Sequence, residues 1–270
     1  MTLLKNHVAL VTGASRGIGR GMALGLAESG ATIFLTGRTL HEGNGTLPGS
    51  LESTAETVAR LGDVAHIAQC DHRDDLQVEA VFERVAREVG RLDLLVNAAW
   101  GGYTQMESFA MPFWEQPRWR WDDMFQAGAR AAYVASALAA PHMVRSRSGL
   151  IVNVSSTAAR KYGGSVAYGA SKAATDAMTR DMATELRAHG VSVVSLRPGL
   201  VRTENVMQAA EYFDLSKSES PELQGHVVAA LLGDPELLAR SGRALVTAEL
   251  ASEFGVRDLD GAQPARIEDG

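Results

Sequence analysis

Tyr168 and Lys172 stand four residues apart in Tyr168-Gly-Ala-Ser-Lys172, a spacing that places both on one face of a helix. A free phenol ionises near ~10 and exchanges protons poorly at neutral pH. A neighbouring ammonium favours the phenolate and brings that ionisation toward the working range. The pair can then give a proton to a carbonyl being reduced, or take one from an alcohol being oxidised, while Lys172 also holds a ribose. A third polar group must orient the oxygen, and Ser155 and Ser156 end the apolar run that precedes the pair. Tyr-x-x-x-Lys arises by chance in many helices, so the pair needs a context.

The context starts near the N-terminus. Thr12-Gly-Ala-Ser-Arg-Gly-Ile-Gly19 follows one apolar run and opens a helical stretch. Gly13, Gly17 and Gly19 permit a tight turn and close approach of backbone to a phosphate, and the positive end of the helix points to the same place. Ser15, Arg16 and Ile18 of this loop are expected to bind cofactor with the glycines. An ordinary flexible loop would also use glycine, but its position at the head of an α/β pattern makes a dinucleotide site the better reading. An NAD-selective site ends its second strand on an acid, whereas a 2′-phosphate wants arginine there. Here that strand ends Thr36-Gly37-Arg38. With Arg16 and Arg38 converging and no carboxylate opposing them, NADP(H) is expected, with NAD(H) as the alternative.

Short apolar runs alternate with helical stretches along the chain. Runs at 8–12, 32–36, 64–68, 92–97, 150–154, 191–196 and 243–247 read as strands. Helices are expected from the glycine loop to residue 29 and at 51–61, 74–89, 121–143 and 166–189. Strands this short and apolar are buried on both faces, as in a parallel sheet covered by helices. The expected fold is a doubly wound α/β sheet of Rossmann type in one domain, residues 1–250, with a substrate loop near 200–222 and a tail at 251–270. Residues 38–50 and 101–118 break the pattern and read as loops.

A net charge of −6 without blocks argues against a nucleic-acid partner, which would call for a clustered basic surface. No apolar stretch is long enough to span a bilayer, and no export signal opens the sequence, so the cytoplasm is the expected compartment. The single cysteine, Cys70, excludes an intramolecular disulfide and suits reducing surroundings. The seven histidines do not fall at metal-ligand spacings, so no metal is expected.

The glycine loop, Asn97, the serine pair, Tyr168 with Lys172, and Pro198-Gly199 each follow a strand in an order that resembles the short-chain dehydrogenase/reductase family. The resemblance implies hydride transfer between a nicotinamide and the carbonyl/alcohol pair of a small-molecule substrate. It favours Ser156 as the orienting hydroxyl, although Ser156 lies one residue closer to Tyr168 than is usual, which keeps Ser155 open. It adds Asp71 for the adenine amino group, although Asp71 could instead cap the helix near Asp74. It further adds the backbone of His72, Asn97 with Ala98, and the Pro198-Gly199-Leu-Val201-Arg-Thr203 segment for the nicotinamide carboxamide. It also implies a homo-oligomer, dimer or tetramer, through the alanine-rich helices at 121–143 and 166–189.

Two departures stand out. The usual Asn-Asn-Ala-Gly is Asn97-Ala98-Ala99-Trp100 here, and the slot for an asparagine that helps hold a water behind the lysine is Gly128. A glycine leaves room for water but supplies no amide. The aromatic segment at 113–123 and the long 38–50 loop resemble the branch named for dehydrogenase/reductase member 1. Trp100, Tyr103, Phe113, Trp114, Met207, Tyr212 and Phe213 are expected near the nicotinamide and suit an apolar substrate, although loop packing would use the same residues. A non-catalytic NADPH sensor of the same fold is the main rival. An enoyl-thioester reductase fits poorly, because Lys172 is the lysine near Tyr168 and position 175 is Thr.

Overall fold

The computed structural model describes residues 3–43, 47–61, 64–102, 108–109 and 111–265. Seven parallel strands form one sheet: β1 (Val8–Thr12), β2 (Thr32–Gly37), β3 (Ala65–Gln69), β4 (Leu94–Asn97), β5 (Gly149–Val154), β6 (Val191–Arg197) and β7 (Ala244–Val246), in spatial order β3-β2-β1-β4-β5-β6-β7. All of β1, β4 and β6 is buried, as their predominantly apolar sequences require when helices cover both faces.

One face packs α1 (Gly17–Glu28), α2 (Leu51–Arg60), α8 (Pro221–Leu232) and α10 (Thr247–Phe254), through Met22, Leu26, Val58, Leu223, Val227 and Leu250. The other packs α3 (Asp75–Glu88), α5 (Ala131–Ser146) and α6 (Val166–Leu186), through Val78, Phe82, Val85, Ala135, Ala139 and Ala183. Three short helices, α4 (Trp119–Met124), α7 (Glu204–Gln208) and α9 (Leu237–Arg240), lie in the connections. Among the described residues no helix is long and apolar enough to cross a membrane.

Side-chain caps fix where helices begin. Ser50 and Ser53 exchange bonds in a capping box at α2, and Ser220 caps α8 just before Pro221, each satisfying amides that have no partner inside the helix. Asp74 caps α3, accepting from the amides of Leu76 and Gln77, so Asp71 is not spent on that role.

The expected helix at 121–143 begins two residues earlier and is interrupted. Between α4 and α5 the chain makes a π-helical turn at Phe125–Arg130. The 3.6-residue period of the sequence gives no sign of this inserted residue. Winding reverses between β1 and β4, and their register aligns Thr12 with Asn97, and Asn97 with Asn153 of β5. Such a reversal opens a crevice beyond the carboxyl ends of the strands.

Candidate active site

The crevice is a cleft of about 320 Å³. At one end the glycine loop is shaped by backbone alone. Gly13 and Gly17 adopt φ of 69° and 58°, in the left-handed region that favours glycine. At Gly19 a Cβ would lie 2.3 Å from the carbonyl oxygen of Gly13, so no other residue lets α1 start so close to the turn. Thr12 Oγ1 accepts the amides of both Ala98 and Ala99 at 3.0 Å, tying this loop to the one after β4. Ser15, Ile18 and the three glycines all line the cleft.

Arg16 and Arg38 meet at the edge of this end, and both line it. The Arg16 guanidinium is anchored on Thr39 Oγ1 at 3.2 Å and the Gly49 carbonyl at 2.8 Å, while its Nε is buried with no hydrogen-bond partner among the described residues. Burial is the main influence lowering its ionisation, and Glu204 works against it. Arg38 is exposed. Asp71 and His72 follow on the same wall. The Asp71 carboxylate is held well below its usual range, chiefly by its side-chain bond to Arg73, 2.6 Å at the shortest contact. Buried His72 bonds Thr36 Oγ1 at 2.7 Å, and burial pushes its ionisation down to about 4.

Glu204, at the first position of α7, was not anticipated. Its Oε2 accepts the Gly17 amide at 2.7 Å, so a carboxylate occupies the place where the start of α1 favours an anion. The two residues are 187 apart in sequence, and no local pattern announces the contact.

At the other end α6 presents Tyr168 and Lys172, and both line the cleft with Asn97 and Ala98. Lys172 is buried; its Nζ donates to the Val154 carbonyl at 3.0 Å and lies 4.1 Å from the centre of the Trp100 ring. Burial brings its ionisation down to about 8, partly countered by Asp176, which pairs with Arg197 of β6. The Tyr168 ring is flanked edge-on by Trp100 at 5.6 Å and by Phe109 at 6.0 Å. Asn97 Nδ2 bonds Ser136 Oγ at 3.0 Å and Asn153 Oδ1 at 2.8 Å, which turns this residue into a tie between β4, β5 and α5.

The two serines differ. Ser155 Oγ is buried without a hydrogen-bond partner among the described residues, and Ser155 lines the cleft. Ser156 Oγ accepts the Ala158 amide at 3.2 Å and retains its own proton for donation. Thr203 lines the cleft, whereas Ser156, Pro198, Gly199 and Val201 do not. The last three form the strap behind it: the Gly199 amide donates to buried Glu219 at 3.1 Å, and Val201 bridges Glu219. Glu219 has a carboxyl raised by burial, and it too was not anticipated. Phe113, Trp114, Met207, Tyr212 and Phe213 are exposed, and Tyr103 lies outside the described residues.

The cradle fits a dinucleotide: a loop whose turn a Cβ would fill, an anion-seeking helix start, two guanidiniums, and a lysine beside a phenol. Comparison with known proteins agrees. The short chain dehydrogenase family model matches residues 7–212. The chain is 42% identical over 273 residues to the mouse protein dehydrogenase/reductase SDR family member 1, covering 96% of this chain and 85% of that one. It is 34% identical over 194 residues to a 3-oxoacyl-[acyl-carrier-protein] reductase of Staphylococcus aureus, covering 72% and 74%. A crystal structure from Xanthomonas campestris superposes with a TM-score of 0.83 at 25% identity, covering 99% of each chain. The chain therefore belongs to the short-chain dehydrogenase/reductase family, whose members use NAD(P)(H) to interconvert carbonyl and alcohol groups.

Proposed function

We propose that this chain is an NADP(H)-dependent reductase of a bulky, apolar carbonyl compound, with Tyr168 as proton donor. The observation that carries the reading is the buried Lys172 ammonium packed beside a phenol whose ring is flanked by Trp100 and Phe109. A nicotinamide bound in the cleft supplies the hydride. Tyr168 gives its hydroxyl proton to the carbonyl oxygen, and the neighbouring ammonium stabilises the negative charge left on the ring oxygen. Ser156 orients that carbonyl oxygen through its remaining O–H, with Ser155 as the competing hydroxyl. The aromatic flanks exclude water and suit an apolar substrate face.

Arg16 and Arg38 are proposed to hold the 2′-phosphate, with Asp71 and the His72 backbone at the adenine, and Thr203 with the strap at 198–201 at the carboxamide. The binding-only reading is not favoured, since the relatives are named as dehydrogenases and reductases. Association through the alanine-rich α5 and α6 is proposed to give a dimer or tetramer; a monomer in light scattering would contradict it. The test of function is oxidation of NADPH and NADH against ketones, quinones, aldehydes and enoyl thioesters. Carbonyl-dependent oxidation with at least about tenfold preference for NADPH is expected. NADPH binding without turnover of any carbonyl, or equal use of both cofactors, would overturn the reading.

A further inference from the structure

The two departures from the family pattern meet in space. A Cβ at Gly128 would lie 2.7 Å from Trp100 Cζ3 and 3.0 Å from Cε3, so the indole fills the room that any side chain at 128 would need. The π-helical turn falls here, an irregularity frequent at functional sites. The same indole lies 4.1 Å from the Lys172 ammonium and makes a T-shaped contact with the Tyr168 ring at 5.6 Å. A buried ammonium needs compensation. Among the described residues the Lys172 ammonium donates to the Val154 carbonyl, and an aromatic face supplies a second favourable neighbour.

We propose that Trp100 and Gly128 are one matched unit, in which the indole is a positioning residue that holds the Lys172 ammonium beside Tyr168. Gly128 is the space that unit requires. The unit also walls a cavity of about 10 Å³ bordered by Thr12, Asn97, Lys172 and Thr175, the least that admits one water. Asn97 Oδ1 is buried there with no partner among the described residues. Among the described residues the charged and titratable neighbours of Lys172 are Tyr168 and Asp176 on its own helix, and Asp176 is itself paired with Arg197 from β6. The described ends of β1, β4 and β5 offer neutral Thr12, Asn97 and the Val154 carbonyl.

The proposal rests on the assignment of Tyr168 and Lys172 to the reaction, and its test begins without turnover. The emission that Trp100 contributes, taken as native minus Trp100→Leu, is followed from pH 6 to 9.5 in the free protein. A break near pH 8 that disappears in a Lys172→Met background is expected. In turnover, Trp100→Leu should move the alkaline limb down by about one pH unit, and Trp100→Phe by less, because a smaller aromatic face remains. Gly128→Ala should reproduce the Trp100→Leu shift by displacing the indole, and the double variant should add nothing further.

An emission that does not respond to pH, or responds identically with Met at 172, would overturn the proposal. So would an alkaline limb unmoved in both Trp100→Leu and Gly128→Ala, with melting temperatures confirming that each is folded. If the emission break is present but no carbonyl is turned over, the reductase reading fails and the Trp100–Lys172 contact stands.

Discussion

The two ends of the cleft are built on different principles. The end proposed to hold phosphate is a shape made of backbone: positive φ at Gly13 and Gly17, a missing Cβ at Gly19, and the first turn of α1. The end proposed to hold the nicotinamide is a meeting of elements, Trp100 after β4, Gly128 in the π-helical turn, and Tyr168 and Lys172 on α6. The first should fail through geometry and the second through charge. Substitutions at each end should therefore leave different signatures in affinity, turnover and stability.

Lys172→Met should separate the ends most strongly. Turnover should fall by about a hundredfold or more, yet the free protein should become more stable. The folded value of about 8 lies below the ordinary 10.5, so burial of the ammonium opposes folding fully below pH 8, and that opposition fades between pH 8 and 10.5. At pH 7 the gain has an upper bound of about 3 kcal/mol. Denaturant melts at pH 7 and pH 10 check it, with a clear gain at the first and little at the second. An equal gain at both would mean that packing, not charge, sets the difference.

Gly19→Ala should act at the phosphate end in the opposite sense, lowering both NADPH affinity and stability. The added methyl meets backbone rather than a flexible side chain, so a loss of about tenfold to a hundredfold in affinity is expected. Its alkaline limb should stay where the native one lies. Arg38→Asp is a smaller change, about tenfold in NADPH affinity with NADH little altered, measured by fluorescence titration of each cofactor.

The smallest effect belongs to the residue that bridges the comparison. Glu204 places a carboxylate on the Gly17 amide, where it competes with any phosphate entering the loop. Glu204→Gln should tighten NADPH by about threefold, with the gain shrinking at high salt. Weaker binding would mean that Glu204 supports the loop rather than competing for it.

The same division decides what could be read from the sequence. Strands such as β1 and β4 are nearly continuous apolar runs, and the glycine loop and the Tyr168/Lys172 spacing are local patterns, so periodicity and turn chemistry suffice. Trp100 and Gly128 were each visible as departures, but their complementarity depends on a contact between residues 28 apart, which no local rule encodes. Glu204 reaches Gly17 across 187 residues and Glu219 reaches Gly199 across 20, contacts that no local rule encodes either. The π-helical turn left the apolar spacing nearly unchanged and so read as plain helix. Asp71 stayed open as a cap of α3, whereas it is Asp74 that accepts from the amides of Leu76 and Gln77.

On the proposed mechanism Tyr168 carries a proton to the substrate oxygen while the cofactor is held independently of it. Tyr168→Phe keeps the ring against Trp100 and removes only the hydroxyl. Turnover and NADPH affinity measured side by side, on a carbonyl that the native protein reduces, test this directly. Turnover lower by about a hundredfold or more with NADPH affinity within about twofold is the expected result. Normal turnover in Tyr168→Phe would show that the proton comes from another group and would contradict the account.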